Sequence, residues 1–223
     1  MHDHWFVKLR IANEATATEW PLASGTQIQG ALKSCAERFP QHPHFATTSE
    51  ATVSVRAPSS TPYSIVHRLI QEMARSGIYR IGFDVIAPRG DASDRRMDVP
   101  LPFDVTKGLA PVGIRVSLRR DPATGALARK REDWLEQIYD PGGGGIRRQR
   151  VPAQSFPCTE AGDAQLRSFV KQWLVEADKT EHGRVSAVVD AAGDVTLQDA
   201  IRLIDGFRAG GIELIEFPAE LLK

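Results

Sequence analysis

The side chains able to do chemistry are few in this 223-residue chain, and they are scattered. His2-Asp3-His4 carries the donor types of a metal site but sits at a chain end, where solvation is the plainer reading. His42-Pro43-His44 lacks cysteine or carboxylate partners at ligand spacing. His67 lies between Val66 and Arg68 in a helical pattern and reads as a surface residue. Ser59 and Ser60 sit in a proline-rich turn that suits capping, not a nucleophile elbow. Gly142 to Gly145 resembles a phosphate loop only in composition. No Lys-Ser/Thr follows it, and the next residues are Ile146-Arg147-Arg148-Gln149-Arg150. Arg147 and Arg148 therefore form a basic shoulder able to meet an anionic partner such as a peptidoglycan carboxylate or a lipid head group. Asp190 and Asp205 read as strand-end and helix-face carboxylates for capping, solubility or a partner surface. No catalytic residue, metal or cofactor is expected from this inventory.

Composition narrows the class. Hydrophobic residues make up 42% and charged residues 25%, as in ordinary globular proteins. Lys plus Arg and Asp plus Glu are 28 each, so the net charge is zero, which argues against a chain that works by neutralising nucleic-acid phosphates. Cys35 and Cys158 are too few for a disulfide scaffold, and Cys35 falls on an apolar stripe as a core residue. A single bridge is compatible with a location outside the cytoplasm. No apolar run approaches the roughly 20 residues of a membrane span, and no signal peptide is visible. The chain as given reads as soluble, either a natural soluble protein or an extramembrane piece of a longer one.

The elements that would position these groups occur twice. Val53 to Phe83 reads as strand, turn, amphipathic helix, glycine stop and strand. Ala187 to Phe217 overlays it without a gap at an offset of 134. Nine of the 31 paired positions are identical: Val55/Val189, Ala57/Ala191, Arg68/Arg202, Leu69/Leu203, Ile70/Ile204, Gly77/Gly211, Ile78/Ile212, Ile81/Ile215 and Phe83/Phe217. Most are core-facing or turn positions, the pattern of an internal duplication. Upstream of the first copy, Phe6 to Ile11 and Thr16 to Trp20 suit a hairpin. A helix capped by Ser24 or Thr26 runs to about Phe39, with Ile28, Ala31, Leu32 and Cys35 on one stripe. Thr61-Pro62 suits an N-cap with proline at the first helical position. Upstream of the second copy, Val112 to Arg119 echoes the first strand, and Trp134 to Tyr139 fits a return strand or a helical turn. Asp163 is placed to cap a helix from Ala164 to Ala177, whose Leu166, Val170 and Trp173 overlay Ile28, Leu32 and Cys35. Asp194 or Thr196 caps the last helix. Trp134 and Trp173 read as core or interface anchors. Residues 88–110 read as a turn-rich linker without a helix or strand. The expected fold is α+β: two similar halves, 1–87 and 111–223, each strand(s)-helix-strand-helix-strand with helices packed on a sheet, related by a pseudo-two-fold.

A strand ending in a small or acidic turn, a helix opening with Pro62-Tyr63, and then Gly77-Ile78 leading a strand resembles the periplasmic domain of the ExbD/TolR biopolymer transport family. The first copy matches that pattern at Val53, Val55, Ala57, Pro62, Tyr63, Val66, Leu69, Ile70, Gly77, Ile78 and Ile81. The second matches at Val189, Asp190, Leu197, Ala200, Leu203, Ile204, Gly211, Ile212 and Ile215. Pro58 stands where the family has Asp, Leu197 replaces its Tyr, and Asp190 lies one place early. The family's transmembrane helix has no counterpart here. The resemblance implies a non-enzymatic, periplasmic interaction domain of a proton-motive-force-coupled transport or envelope-maintenance complex, anchored to the inner membrane if a helix precedes it. Its partners would be an ExbB/TolQ-like channel protein, a TonB/TolA-like protein and peptidoglycan, with no nucleic acid. Since such domains commonly pair, a tandem copy would form an intrachain pseudo-dimer. Candidate partner-binding residues are Arg56, Tyr63, Asp190, Arg147 and Arg148. Two alternatives stay open: a small-molecule-binding regulatory module with a pocket lined by Arg56, Tyr63 and the glycine-rich loop, and an enzyme with its site between the halves.

Overall fold

A computed structural model describes residues 6–9, 18–21, 25–42, 45–86, 95–100, 112–131, 135–140, 145–150, 153–178 and 185–218. His2, Asp3, His4, Pro43, His44, Trp134 and Gly142 to Gly144 lie outside them. The described chain is mixed α+β with four helices. Its elements run β1 (Phe6–Leu9), β2 (Thr18–Pro21), α1 (Gly25–Glu37), β3 (Gln41–His42), β4 (Phe45–Pro58), α2 (Tyr63–Arg75), β5 (Ile78–Ile86) and β6 (Arg95–Pro100). They continue as β7 (Val112–Arg120), β8 (Leu127–Arg131), β9 (Leu135–Asp140), β10 (Gly145–Arg150), β11 (Gln154–Pro157), α3 (Glu160–Asp178), β12 (Val185–Ala191), α4 (Leu197–Gly210) and β13 (Leu214–Glu216). Among the described residues, no helix is long and apolar enough to cross a membrane.

Two sheets carry the core. One has the order β3-β4-β5-β6, with α1 and α2 packed on it, and the other β11-β8-β7-β12-β13, with α3 and α4. In each, a helix returns the chain to a parallel neighbour: β4 pairs with β5, and β12 with β13. The registers match at the offset of 134. Thr52↔Arg80, Val53↔Ile81 and Ser54↔Gly82 map onto Ser186↔Leu214, Ala187↔Ile215 and Val188↔Glu216. Buried positions match too. Val55, Leu69, Ile70, Met73, Ile78 and Ile81 correspond to Val189, Leu203, Ile204, Phe207, Ile212 and Ile215, all in the core. Each such side chain contributes about 1.5–3 kcal/mol by leaving water. Both helices stop at a glycine in the left-handed region, Gly77 (φ 74) and Gly211 (φ 110).

Several expectations are corrected. Residues 95–100, read as linker, form β6, which pairs antiparallel with β5. Leu135–Asp140 is a strand paired with β10, not a helical turn, because Gly145–Arg150 supplies the backbone partner that single-strand periodicity does not reveal. The counterpart assigned to β7 does not hold its place. β7 lies against β12, whereas β1 pairs with β2 and the position beside β4 is filled by β3. α2 opens one residue later than expected, with Pro62 at the N-cap and no side-chain cap. α3 opens at Glu160, so Asp163 lies in its first turn. The capping is done by the Thr159 hydroxyl, which accepts from the Gly162 amide at 3.2 Å. α4 carries the full capping box, Thr196 with Asp199.

Candidate functional site

The two sheets meet where the helices α2 and α4 begin. An isolated antiparallel bridge joins Pro62 to Thr196. Around it, the Tyr63 amide donates to the Val195 carbonyl (2.8 Å), and the Leu197 amide to the Thr61 carbonyl (2.7 Å). One step out, the Ser64 amide donates to the Gly193 carbonyl (3.2 Å), and the Gln198 amide to the Ser59 carbonyl (3.1 Å). Each bond becomes its partner when 134 is added to one residue and subtracted from the other. The physical need is plain. The first amides of a helix have no intrahelical acceptor. α2 lacks a side-chain cap, and the turn before α4 supplies its acceptors. The turn before α2 does the same for α4. Each of these bonds contributes about 1 kcal/mol net, and more is lost if a buried amide is orphaned.

Polar side chains gather at this junction. Tyr63 is 2% exposed, and its hydroxyl has no hydrogen-bond partner. Burial, and behind it the charge of Asp190, push its pKa far above the ordinary tyrosine value, so the phenol stays neutral. Asp190, the last residue but one of β12, is 8% exposed and forms an ion pair with Arg115 of β7 at 3.5 Å. Asp190 is thus a buried structural carboxylate, not a solvating one. His67 is 3% exposed, in contrast to its surface reading. One helical turn on from Tyr63, its ring lies 5.7 Å from the tyrosine ring, and its Nε2 lies 2.7 Å from the carbonyl oxygen of Pro218. That contact ties the segment after β13 to α2. The Thr61 hydroxyl is also buried without a partner.

Of the five residues singled out in the sequence, the structure brings Tyr63 and Asp190 together. Arg56 lies on β4 in register with Asp84, at the position 134 before Asp190, and its side chain is outside the described part. Arg147 and Arg148 lie on β10, in register with Ile138 and Gln137 of β9, in a separate two-stranded sheet. Sequence reasoning missed Arg115 and the burial of His67, and it read Thr61 as a helix cap, whereas the N-cap is Pro62 and the Thr61 hydroxyl is buried without a partner. The only signal for His67 was its place four residues after Tyr63 on a helix whose apolar face includes both.

A second polar group lies within the β7–β13 half. Asp163 forms an ion pair with Arg129 (Nη1 to Oδ1, 2.6 Å) and accepts a hydrogen bond from Arg202 Nε at 2.6 Å, while Arg129 Nη2 donates to the Pro157 carbonyl. Arg129 is 1% exposed. The group knits β8, β11, α3 and α4. Arg131 stacks over Phe169 at 4.8 Å. Burial pushes the neighbouring Cys158 thiol up, which leaves it protonated near neutral pH. These groups hold elements in place; none presents a nucleophile beside a base. Among the described residues, no three His, Cys, Asp or Glu side chains gather as a metal site. Comparison of the chain with protein-family models, with curated proteins and with solved structures finds no match.

Proposed function

We propose that the chain is a tandem, non-enzymatic interaction module of the ExbD/TolR kind. Its halves arose by duplication and pair as a built-in dimer, with a pseudo-two-fold axis through the Pro62–Thr196 bridge. The observation that carries this reading is the reciprocal set of backbone bonds, in which every bond has its mate at the same offset of 134 as the sequence repeat. A pairing that in the resembled family joins two chains would here be made within one. The module works outside the cytoplasm in a proton-motive-force-coupled transport or envelope complex, beside an ExbB/TolQ-like channel and a TonB/TolA-like protein.

Binding is by strand addition. β13 and β6, the inner edges of the two sheets, lie side by side, which leaves β11 and the two-residue β3 as the outer edges. β11 is the longer and carries exposed Gln154 and Ser155, so it is the edge that accepts a partner strand.

The test is a photo-crosslinking amino acid at Gln154 or Ser155 in the producing cell. An adduct with a TonB/TolA-like or ExbB/TolQ-like protein, absent when the probe is moved to Lys171 on α3, supports the proposal. Adducts to neither class would sink it.

A further inference from the structure

We infer that an ordered water is built into the junction, bonded to the Tyr63 hydroxyl and bridging it to the Asp190 carboxylate. The inference rests on the packing of the junction and is independent of the transport reading. Thr61, Tyr63 and His67, before and along the first turns of α2, all carry hydrogen-bonding side chains and are at most 3% exposed. The positions 134 residues on, before and along the first turns of α4, are Val195, Leu197 and Ile201, at most 6% exposed. The same depth of burial is thus met by hydrocarbon on one side of the junction and by polar groups on the other. Packing alone does not call for the polar groups, and a buried hydroxyl that makes no hydrogen bond loses its hydration without return. His67 escapes that loss through the Pro218 carbonyl. The Thr61 and Tyr63 hydroxyls have no such partner among the described residues.

The charge of Asp190 reaches the phenol, where it adds to burial in keeping the proton on, yet no hydrogen bond joins the two groups. Polar groups that interact across a gap too wide for a direct bond are where a bridging water belongs. The donors and acceptors match. The phenol donates or accepts, and the ionised carboxylate only accepts. Its ion pair with Arg115, at 3.5 Å, takes a share of about four lone-pair positions. A water accepting from Tyr63 and donating to Asp190 satisfies both. Internal waters typically make about three bonds, and the Thr61 hydroxyl, two residues from Tyr63, is a buried group there with a bond to make. An ion fits less well. The helix-start amides that would hold an anion, those of Tyr63, Ser64, Leu197 and Gln198, are spent on carbonyls across the junction. A cation would add an uncompensated charge where Asp190 already has Arg115. Both hydroxyl oxygens are closed off from bulk solvent, so the guest is small as well as neutral.

The experiment is a crystal structure of the full chain, grown and frozen without polyols, at a resolution that shows waters. The expected result is a water within about 3 Å of both Tyr63 Oη and a carboxylate oxygen of Asp190. Tyr63 Oη bonded directly to a protein atom, a water on Tyr63 alone, a larger molecule in that place, or no density there overturns the proposal. Solution measurement supplies the second arm. Oxygen-17 relaxation dispersion of the full chain counts long-lived internal waters, and Tyr63→Phe should hold one fewer than the parent while keeping its far-ultraviolet spectrum. Equal counts in the two folded proteins overturn the proposal.

Discussion

Pro62 and Thr196 face each other in an isolated antiparallel bridge between two sheets, and their numbers differ by 134, the offset of the sequence repeat. In the proposed duplication, such an equivalent pair would lie on the axis relating the two copies. The surrounding bonds, Tyr63 to Val195 and Leu197 to Thr61, obey the same relation. The site is thus a meeting of two helix starts, each supplying acceptors to the other. The side chains that line it, Tyr63 and Asp190, are then the ones whose substitution should report on the pairing.

Tyr63→Phe removes a buried hydroxyl that has no partner, so it should leave stability within about 1 kcal/mol of the parent. Tyr63→Ala should cost about 3–5 kcal/mol by analogy with other buried aromatic truncations. The pH dependence follows from the raised pKa. The phenol stays neutral when folded and ionises in the unfolded chain near pH 10, so its contribution is complete below that pH and declines above it. Denaturant unfolding at pH 8 and pH 10.5 should therefore show a smaller loss for Y63F than for the parent. Equal losses would mean that Tyr63 titrates normally in the folded state.

Asp163 should matter more than the surface pairs. Its removal in Asp163→Ala leaves the guanidinium of Arg129, 1% exposed, without its counter-charge, at a cost of about 3–5 kcal/mol. Arg202→Ala touches the same carboxylate from a side chain that is 40% exposed, and should cost about 1 kcal/mol or less. Chemical denaturation of the two variants gives the order directly. A larger loss for Arg202→Ala would show that Arg129 is not the residue Asp163 serves.

How much of this was legible follows the kind of interaction. The strand–helix–strand units around α2 and α4 were visible because burial repeats with the period of the element, as at Leu69, Ile70, Leu203 and Ile204. Thr196 was visible as a cap because its hydroxyl and Asp199 act within one turn of chain. Asp163 was misassigned because local rules see only its place near a helix start, while its partners lie on β8 and α4. Arg202 makes the same point: its carboxylate partner, Asp163, lies 39 residues away on α3. β6, β8 and β11 were missed because short strands of four to six residues depend on a neighbour's backbone more than on their own pattern.

The α3–α4 contact depends on small residues. A methyl group at Gly210 would meet Val170 Cβ at 2.6 Å, and one at Gly206 would meet the end of the Leu166 side chain, Cδ2 at 2.6 Å and Cγ at 3.4 Å. The end of the leucine can move, whereas the β-branched valine cannot, so Gly210→Ala should cost about 1–3 kcal/mol and Gly206→Ala less. Gly206 also regains helix propensity as alanine, by about 1 kcal/mol. Gly162→Ala would drive its new carbon into the Pro157 carbonyl and should be the most destabilising of the three. Melting temperatures of the three variants test the order; an unchanged value for Gly162→Ala would contradict the close approach of α3 to β11.

The clasp itself is tested most directly by the double variant P62C/T196C in one chain, oxidised at low micromolar concentration to disfavour links between chains. Thr196→Cys gives up a helix cap worth about 1 kcal/mol, which the cross-link more than offsets. Peptide mapping should find a single intrachain disulfide between positions 62 and 196, formed rapidly and with the far-ultraviolet spectrum of the parent. Thiols that stay reduced under these conditions, or that pair with Cys35 or Cys158 instead, would contradict the account of two halves clasped at their helix starts.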